Sequence, residues 1–226
     1  MDNDKAKENL IAKVLKLGPW FHNIEIAPGV RTREIAPSEG PQPTDHPLAR
    51  WEVFENVIPR DLTGMRVLDI GSADGFFAIE MARRGANVVA QDAAANMIRR
   101  LEWAADVLGL KKRISTRIGF VDDLPPKERY DFVLCLGLLY HLKHPFLGLE
   151  QISRVSDLIY LESAIDNGER PYLYLKPPQP GVHFIPKWFP TVSCIEEMLK
   201  YVGFGDVKSL HDPTPNRASF VAKRNA

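Results

Sequence analysis

The chain has 226 residues, 45% of them hydrophobic, enough to bury one sizeable core but not two. Lysine plus arginine and aspartate plus glutamate each total 29, so no bulk charge draws it to nucleic acid or to an anionic membrane. No stretch approaches the roughly eighteen apolar residues of a membrane span, MDNDKAKENL has no apolar signal core, and neither Cys135 nor Cys194 fits a metal-ligand spacing, so a reduced cytoplasmic protein is expected.

Residues 4–17 place Leu10, Ile11, Val14 and Leu17 on one helical face and distribute Lys5, Lys7, Lys13 and Lys16 over the rest, which predicts a packing helix that Gly18-Pro19 ends. Trp20 to Val30 is aromatic, then alternating, then turns at Pro28-Gly29, as a small hairpin or flap would. Ala36 to Pro47 has no apolar period and reads as a join. Pro47 to Val57 reads as a helix carrying Leu48, Trp51, Val53 and Phe54. The expected division is an N-terminal helix and flap over 1–46 and one main domain over 47–226, with 163–190 inserted in it.

The most informative stretch is Met65 to Asp92. Arg66 to Ile70 is the apolar run of a strand buried on both faces, and Gly71 and Gly75 bracket the turn that follows. A helix runs from Phe76 to Arg83 until Gly85 stops it, and Asn87 to Gln91 forms the next strand. That strand ends on Asp92, about twenty residues past Gly71, where a carboxylate meets ribose hydroxyls in such βαβ units. The turn lacks the middle glycine of a dinucleotide site and holds Asp69 and Asp74 where a pyrophosphate would sit, which favours a ligand with an ammonium group. S-adenosylmethionine has one, and Asp69, Gly71, Ser72, Gly75 and Asp92 are its expected contacts.

Ala95 to Leu108 is a helix closed by Gly109, and Ile114 to Ile118 is a third strand. Asp122 just past it is the candidate for an adenine amino group, with Asp123 the alternative and a loop cap the rival role. Tyr130 to Leu136 is a fourth strand. Leu136 at its end belongs with the cofactor, and the Gly137-Leu138-Leu139-Tyr140-His141 loop stands where ligands bind, outside the carboxyl ends of parallel strands. Pro145 opens a helix with Phe146, Leu147, Leu149, Ile152 and Val155 on one stripe, and Asp157 to Glu162 is a fifth strand. Residues 163–190 are punctuated by proline and glycine and rich in aromatics, as a substrate-pocket insertion would be. Thr191 caps a helix with Glu196 and Glu197 expected near its positive end, and Gly203 to Leu210 and Ala218 to Lys223 form a closing antiparallel pair.

Met65 to Asp92 resembles motif I and the acidic loop of class I methyltransferases. Trp20-Phe21-His22 with Pro28-Gly29-Val30-Arg31-Thr32, the Leu136 to His141 loop and Val182-His183-Phe184-Ile185-Pro186 narrow this, because together they resemble the tRNA wobble-uridine methyltransferases and their small relatives. The resemblance implies a Rossmann-like, doubly wound α/β fold with a seven-stranded, mostly parallel sheet whose last strand is antiparallel. The tRNA branch uses a carboxylated S-adenosylmethionine held by basic groups and a tyrosine. Tyr140 matches the tyrosine and Arg217 one basic residue, while Pro19-Trp20-Phe21 stands where that branch has a lysine.

The expected function is therefore methyl transfer from S-adenosylmethionine to a small-molecule acceptor, at oxygen. Alternatives are tRNA wobble-uridine modification and a non-catalytic subunit with the same fold. His141 is expected as the base, or as a loop-shaping imidazole, with its pKa near neutrality. Tyr140 is expected to orient acceptor or sulfonium, with Trp20, His22, His183 and Arg217 on the substrate side.

Overall fold

The computed structural model of the protein describes residues 2–40, 42–176 and 187–225. The chain opens with helix α1 (Asp2–Leu17), the strands β1 (Glu25–Ala27) and β2 (Val30–Arg31), the short helix α2 (Thr32–Ile35) and helix α3 (Leu48–Phe54). An alternating run follows: β3 (Arg66–Ile70), α4 (Phe76–Arg83), β4 (Asn87–Asp92), α5 (Ala95–Val107), β5 (Ile114–Ile118), β6 (Phe132–Leu136), α6 (Pro145–Val155) and β7 (Leu158–Ala164). The chain closes with β8 (Leu173–Lys176), β9 (Lys187–Pro190), α7 (Val192–Tyr201), β10 (Asp206–Leu210) and β11 (Arg217–Lys223).

Seven strands form one sheet in the order β10-β11-β7-β6-β3-β4-β5. The chain enters at β3, moves outward through β4 to β5, and returns to β6 beside β3. Strands added on both sides of β3 make this doubly wound. β3 with β6, β6 with β7 and β4 with β5 are parallel pairs, whereas β11 is antiparallel to both of its neighbours. This is the Rossmann-like mixed sheet that the methyltransferase resemblance implies.

The chain divides into two compact units, Met1–Gly64 with Ser72–Ile118, and Met65–Gly71 with Gly119–Ala226. In the first, α4 buries Phe77, Ala78, Ile79, Met81 and Ala82, and Gly85 at φ 100° ends it while Ala86 N–H donates to the Met81 carbonyl at 3.1 Å. β1 and β2 form the hairpin expected at Pro28-Gly29. In the second, all five residues of β6 are buried, as an apolar strand with parallel neighbours requires. The 163–190 segment contributes an antiparallel ribbon, β8 with β9, and β9 packs on the turn at residues 139–141.

One expectation at α7 is corrected. Thr191 does cap the helix, its Oγ1 accepting the Cys194 N–H at 3.2 Å. The first turn, however, holds no acid, so Glu196 and Glu197 lie beyond the reach of the positive helix end, and Glu197 pairs with Lys200 at 2.9 Å instead. Among the described residues no helix is long and apolar enough to cross a membrane.

Candidate active site

In the first unit the Ser72–Gly75 turn is tied to the end of β4. Ser72 N–H donates to the Gln91 carbonyl at 3.1 Å and Gly75 N–H to the Ser72 carbonyl at 2.9 Å. Asp92, half-buried, takes the Ala73 N–H on Oδ2 at 2.9 Å and the Ala94 N–H on Oδ1 at 2.8 Å. Each carboxylate oxygen keeps a second lone-pair direction for a hydroxyl. Ser72 Oγ is buried and has no hydrogen-bond partner, a cost that a bound polar group would remove. Gly75 adopts φ 92°, and a Cβ there would lie 2.1 Å from Leu101 Cδ1, so both backbone and space demand glycine. A half-exposed acid with spare acceptors and an unpartnered hydroxyl fit a nucleoside.

Asp74 is placed differently from the sequence argument. It is fully buried, accepting Phe21 N–H at 2.6 Å, His22 N–H at 3.0 Å and a contact from His22 Nδ1 at 2.8 Å. Its charge is therefore spent on the N-terminal segment, and an ammonium preference cannot be drawn from it. His22 is 3% exposed and Trp20 is fully buried, with its indole N–H on the Val14 carbonyl at 3.0 Å. Both side chains face the interior of the first unit.

In the second unit β3 and β6 are paired, which is the switch point at which open α/β sheets bind ligands beyond their strand ends. Gly71, at φ 75°, stands against Leu138, whose side chain would lie 3.1 Å from a Cβ at residue 71. Buried Asp69 and Leu136 are on these two strands. The chain leaving Leu136 winds into a single 3-10 turn, Leu139–His141, in which the Tyr140 and His141 rings lie tilted at 40° with centroids 4.1 Å apart. The guanidinium carbon of Arg217 lies 5.1 Å from the Tyr140 ring centre, and Arg217 is ion-paired with Glu162. Burial opposes that guanidinium's charge, but Glu162 and Tyr140 outweigh it and raise its pKa above the ordinary value.

Beside this lies a cavity of about 400 Å3 lined by Phe120, Asp122, His141, Leu142, Lys143 and His144, among others. Asp122 and His141 thus meet on one cavity. Asp123 is the loop cap, its Oδ2 accepting the Phe120 N–H at 2.6 Å. The near-neutral pKa expected for His141 is corrected: burial first, then the Lys187 and Arg217 cations, push it down to about 4. The imidazole is neutral at physiological pH. His183 lies outside the described residues. Lys187 and Glu162 give no sequence signal, because each acts through a partner remote in the chain.

Residues 47–164 match a family described as "Methyltransferase domain". The chain is 25% identical over 223 residues to a tRNA U34 carboxymethyltransferase of Helicobacter pylori (strain Shi470), covering 92% of this chain and 78% of that protein. It is 37% identical over 93 residues to a magnesium-protoporphyrin O-methyltransferase of Rhodobacter capsulatus, covering 40% of each. Among solved structures, the N-terminal domain of EvdMO1, crystallised in the presence of SAH and D-fucose, superposes with a TM-score of 0.71 at 23% identity, covering 100% of this chain and 98% of that one. With the family match spanning half of the chain, and the strand order and turn geometry in agreement with it, the chain belongs to the methyltransferase-domain family and is a class I, S-adenosylmethionine-dependent methyltransferase.

Proposed function

We propose that the chain methylates an oxygen of a small-molecule acceptor, with His141 as proton acceptor and Tyr140 as orienting group. The observation that carries this reading is the cavity on which neutral His141 opens, next to Tyr140 and close to the carboxyl ends of β6 and β7. The bound cofactor supplies a methyl group on a sulfonium leaving group, so the protein's task is alignment and proton removal. Asp92 and Ser72 are the groups of the first unit suited to ribose and polar contacts; Asp69, Gly71, Asp122 and Leu136 are those of the second suited to the rest of the cofactor. With the cofactor held there, the methyl C–S bond would break as the acceptor oxygen took the methyl group, and the His141 imidazole would take the proton that this oxygen loses. Burial keeps that imidazole unprotonated and free to accept, as a weaker base than an ordinary histidine.

Support for a small acceptor comes from two similar proteins, one an O-methyltransferase of a porphyrin and one crystallised with a sugar. The tRNA reading is favoured by the H. pylori relatives and by Tyr140 and Arg217 lying together. Against it, Arg217 is already paired with Glu162 and the net charge is zero. The buried, unpaired Cys135, whose thiol burial pushes up to about 12, suits a reducing cytoplasm.

The test is His141→Ala. It should keep S-adenosylhomocysteine affinity and slow turnover by about a hundredfold or more, the usual cost of losing a general base. Unchanged turnover would leave His141 a loop-shaping residue. Mass spectrometry of the co-purifying small molecule separates the two cofactors, and retention of tRNA at moderate salt with a steep salt slope would move the acceptor to RNA.

A further inference from the structure

The buried Asp74 carboxylate needs a reason to stand inside the cofactor turn, since a charge without water must be repaid by well-placed donors. It finds them 52 and 53 positions away in the chain, at His22 and Phe21. His22 Nδ1 is 2.8 Å from Asp74 Oδ1 and accepts the Phe76 N–H at 3.4 Å, so the ring is held between the carboxylate and the start of α4. The ring is fixed edge-on to Phe77 at 5.9 Å between centroids and lies 5.4 Å from His46.

The donor segment is itself held in shape. Arg33, 3% exposed, donates to the carbonyls of Trp20, Phe21, Gln42 and Pro43 and to Ser38 Oγ. Thr32 Oγ1 donates to the His22 carbonyl at 2.7 Å, and Arg100 Nε to the Leu17 carbonyl at 2.8 Å. On the other side, Asp74 is flanked by Ala73 at φ 48° and Gly75 at φ 92°. A non-glycine residue at positive φ persists only where its surroundings enforce it. Asp92 holds this turn through Ala73, and residues 20–23 hold it through Asp74.

We propose that Asp74 is a positioning residue for cofactor binding: it latches the 20–23 segment onto the Ser72–Gly75 turn and so fixes the turn from which Ser72 and Asp92 meet the cofactor. The His22 side chain is part of the latch, in contact with the Asp74 carboxylate, rather than a substrate ligand. The proposal rests on the reading of this turn and Asp92 as part of the S-adenosylmethionine site.

Three variants test it by calorimetry with S-adenosylhomocysteine and by limited proteolysis of the ligand-free protein. Asp74→Asn and His22→Leu should each weaken binding by about tenfold or more, the worth of a hydrogen bond to a charged group, and speed cleavage ahead of residue 33. His22→Asn, whose amide nitrogen takes the place of Nδ1, should restore affinity and protection. Rescue by that donor separates a latch from mere packing. Wild-type affinity in Asp74→Asn, or His22→Asn behaving as His22→Leu, overturns the proposal; if Asp74→Asn does not fold, the two His22 variants decide. Absence of binding by the wild-type chain would instead sink the cofactor site, and the protease pattern would still decide the latch.

Discussion

Arg217 is ion-paired with Glu162, its Nε against Oε1 and its terminal nitrogen donating to Oε2 at 3.3 Å. Glu162 is 1% exposed, and its neighbour two registers along β11 is the residue that reaches it: Ser219 pairs with Glu162 while Arg217 pairs with Ala164. Removing the cation leaves a buried carboxylate close enough to Cys135 to raise its thiol pKa. Arg217→Ala should therefore cost about 3–5 kcal/mol, whereas Arg217→Met with Glu162→Gln should recover most of it. Urea unfolding of the single and double variants checks this, and a single variant as stable as the wild type would show that the pair is solvated in solution.

Gly75→Ala tests the turn itself. The left-handed φ of 92° penalises any side chain, and the new Cβ would stand 2.1 Å from Leu101 Cδ1. Backbone strain of about 1–2 kcal/mol and overpacking of about 1–3 kcal/mol add to a loss of about 2–5 kcal/mol. Gly109→Ala, at φ 71° with nothing within 4 Å of a new Cβ, carries only the backbone part. Thermal melting of the two variants separates strain from crowding; equal losses would mean that Leu101 moves aside.

The elements of the sheet were legible because each is a local pattern. β3 and β5 have the bounds that their apolar runs and flanking turns predict, and α4 stops where Gly85 supplies the left-handed residue. Roles that depend on a remote partner were not legible. Asp74 reads as a ligand-facing acid until Phe21 and His22 are seen to occupy it. Arg33 looks like a surface cation in a polar stretch, yet it is buried under five acceptors. A long-range pairing of this kind leaves no period in the sequence, and neither does the electrostatic setting of a titrating group.

Asp92→Ala removes two acceptors at once, those of Ala73 N–H and Ala94 N–H, together with the proposed ribose contact. Affinity for S-adenosylhomocysteine should fall by about tenfold to a hundredfold, the value of one or two hydrogen bonds to a charged group. Asp92→Asn keeps one acceptor oxygen but sets an amide N–H against the other backbone N–H, and should fall between. Calorimetry with S-adenosylhomocysteine and with NAD decides: tight NAD binding by the wild type would contradict the cofactor, and unimpaired binding in Asp92→Ala would move the ribose elsewhere.

His141 links the site to pH. Its pKa is about 4 in the folded chain against an ordinary 6.5, lowered first by burial and then by Lys187 and Arg217. Between those values the unfolded chain binds a proton that the folded chain refuses, so stability falls as pH drops from 6.5 toward 4 and levels off below. Above 6.5 neither state is protonated and the dependence vanishes. With some of the imidazole still exposed, the loss amounts to about 2 kcal/mol. In His141→Gln this component should be absent, so the difference in urea stability between pH 7 and pH 4.5 should be smaller than in the wild type by about that amount. For the same reason wild-type turnover should show no limb near pH 6.5 due to His141. Parallel stability profiles for the two proteins would mean that the imidazole titrates normally, and that burial and the Lys187 and Arg217 cations do not control its proton.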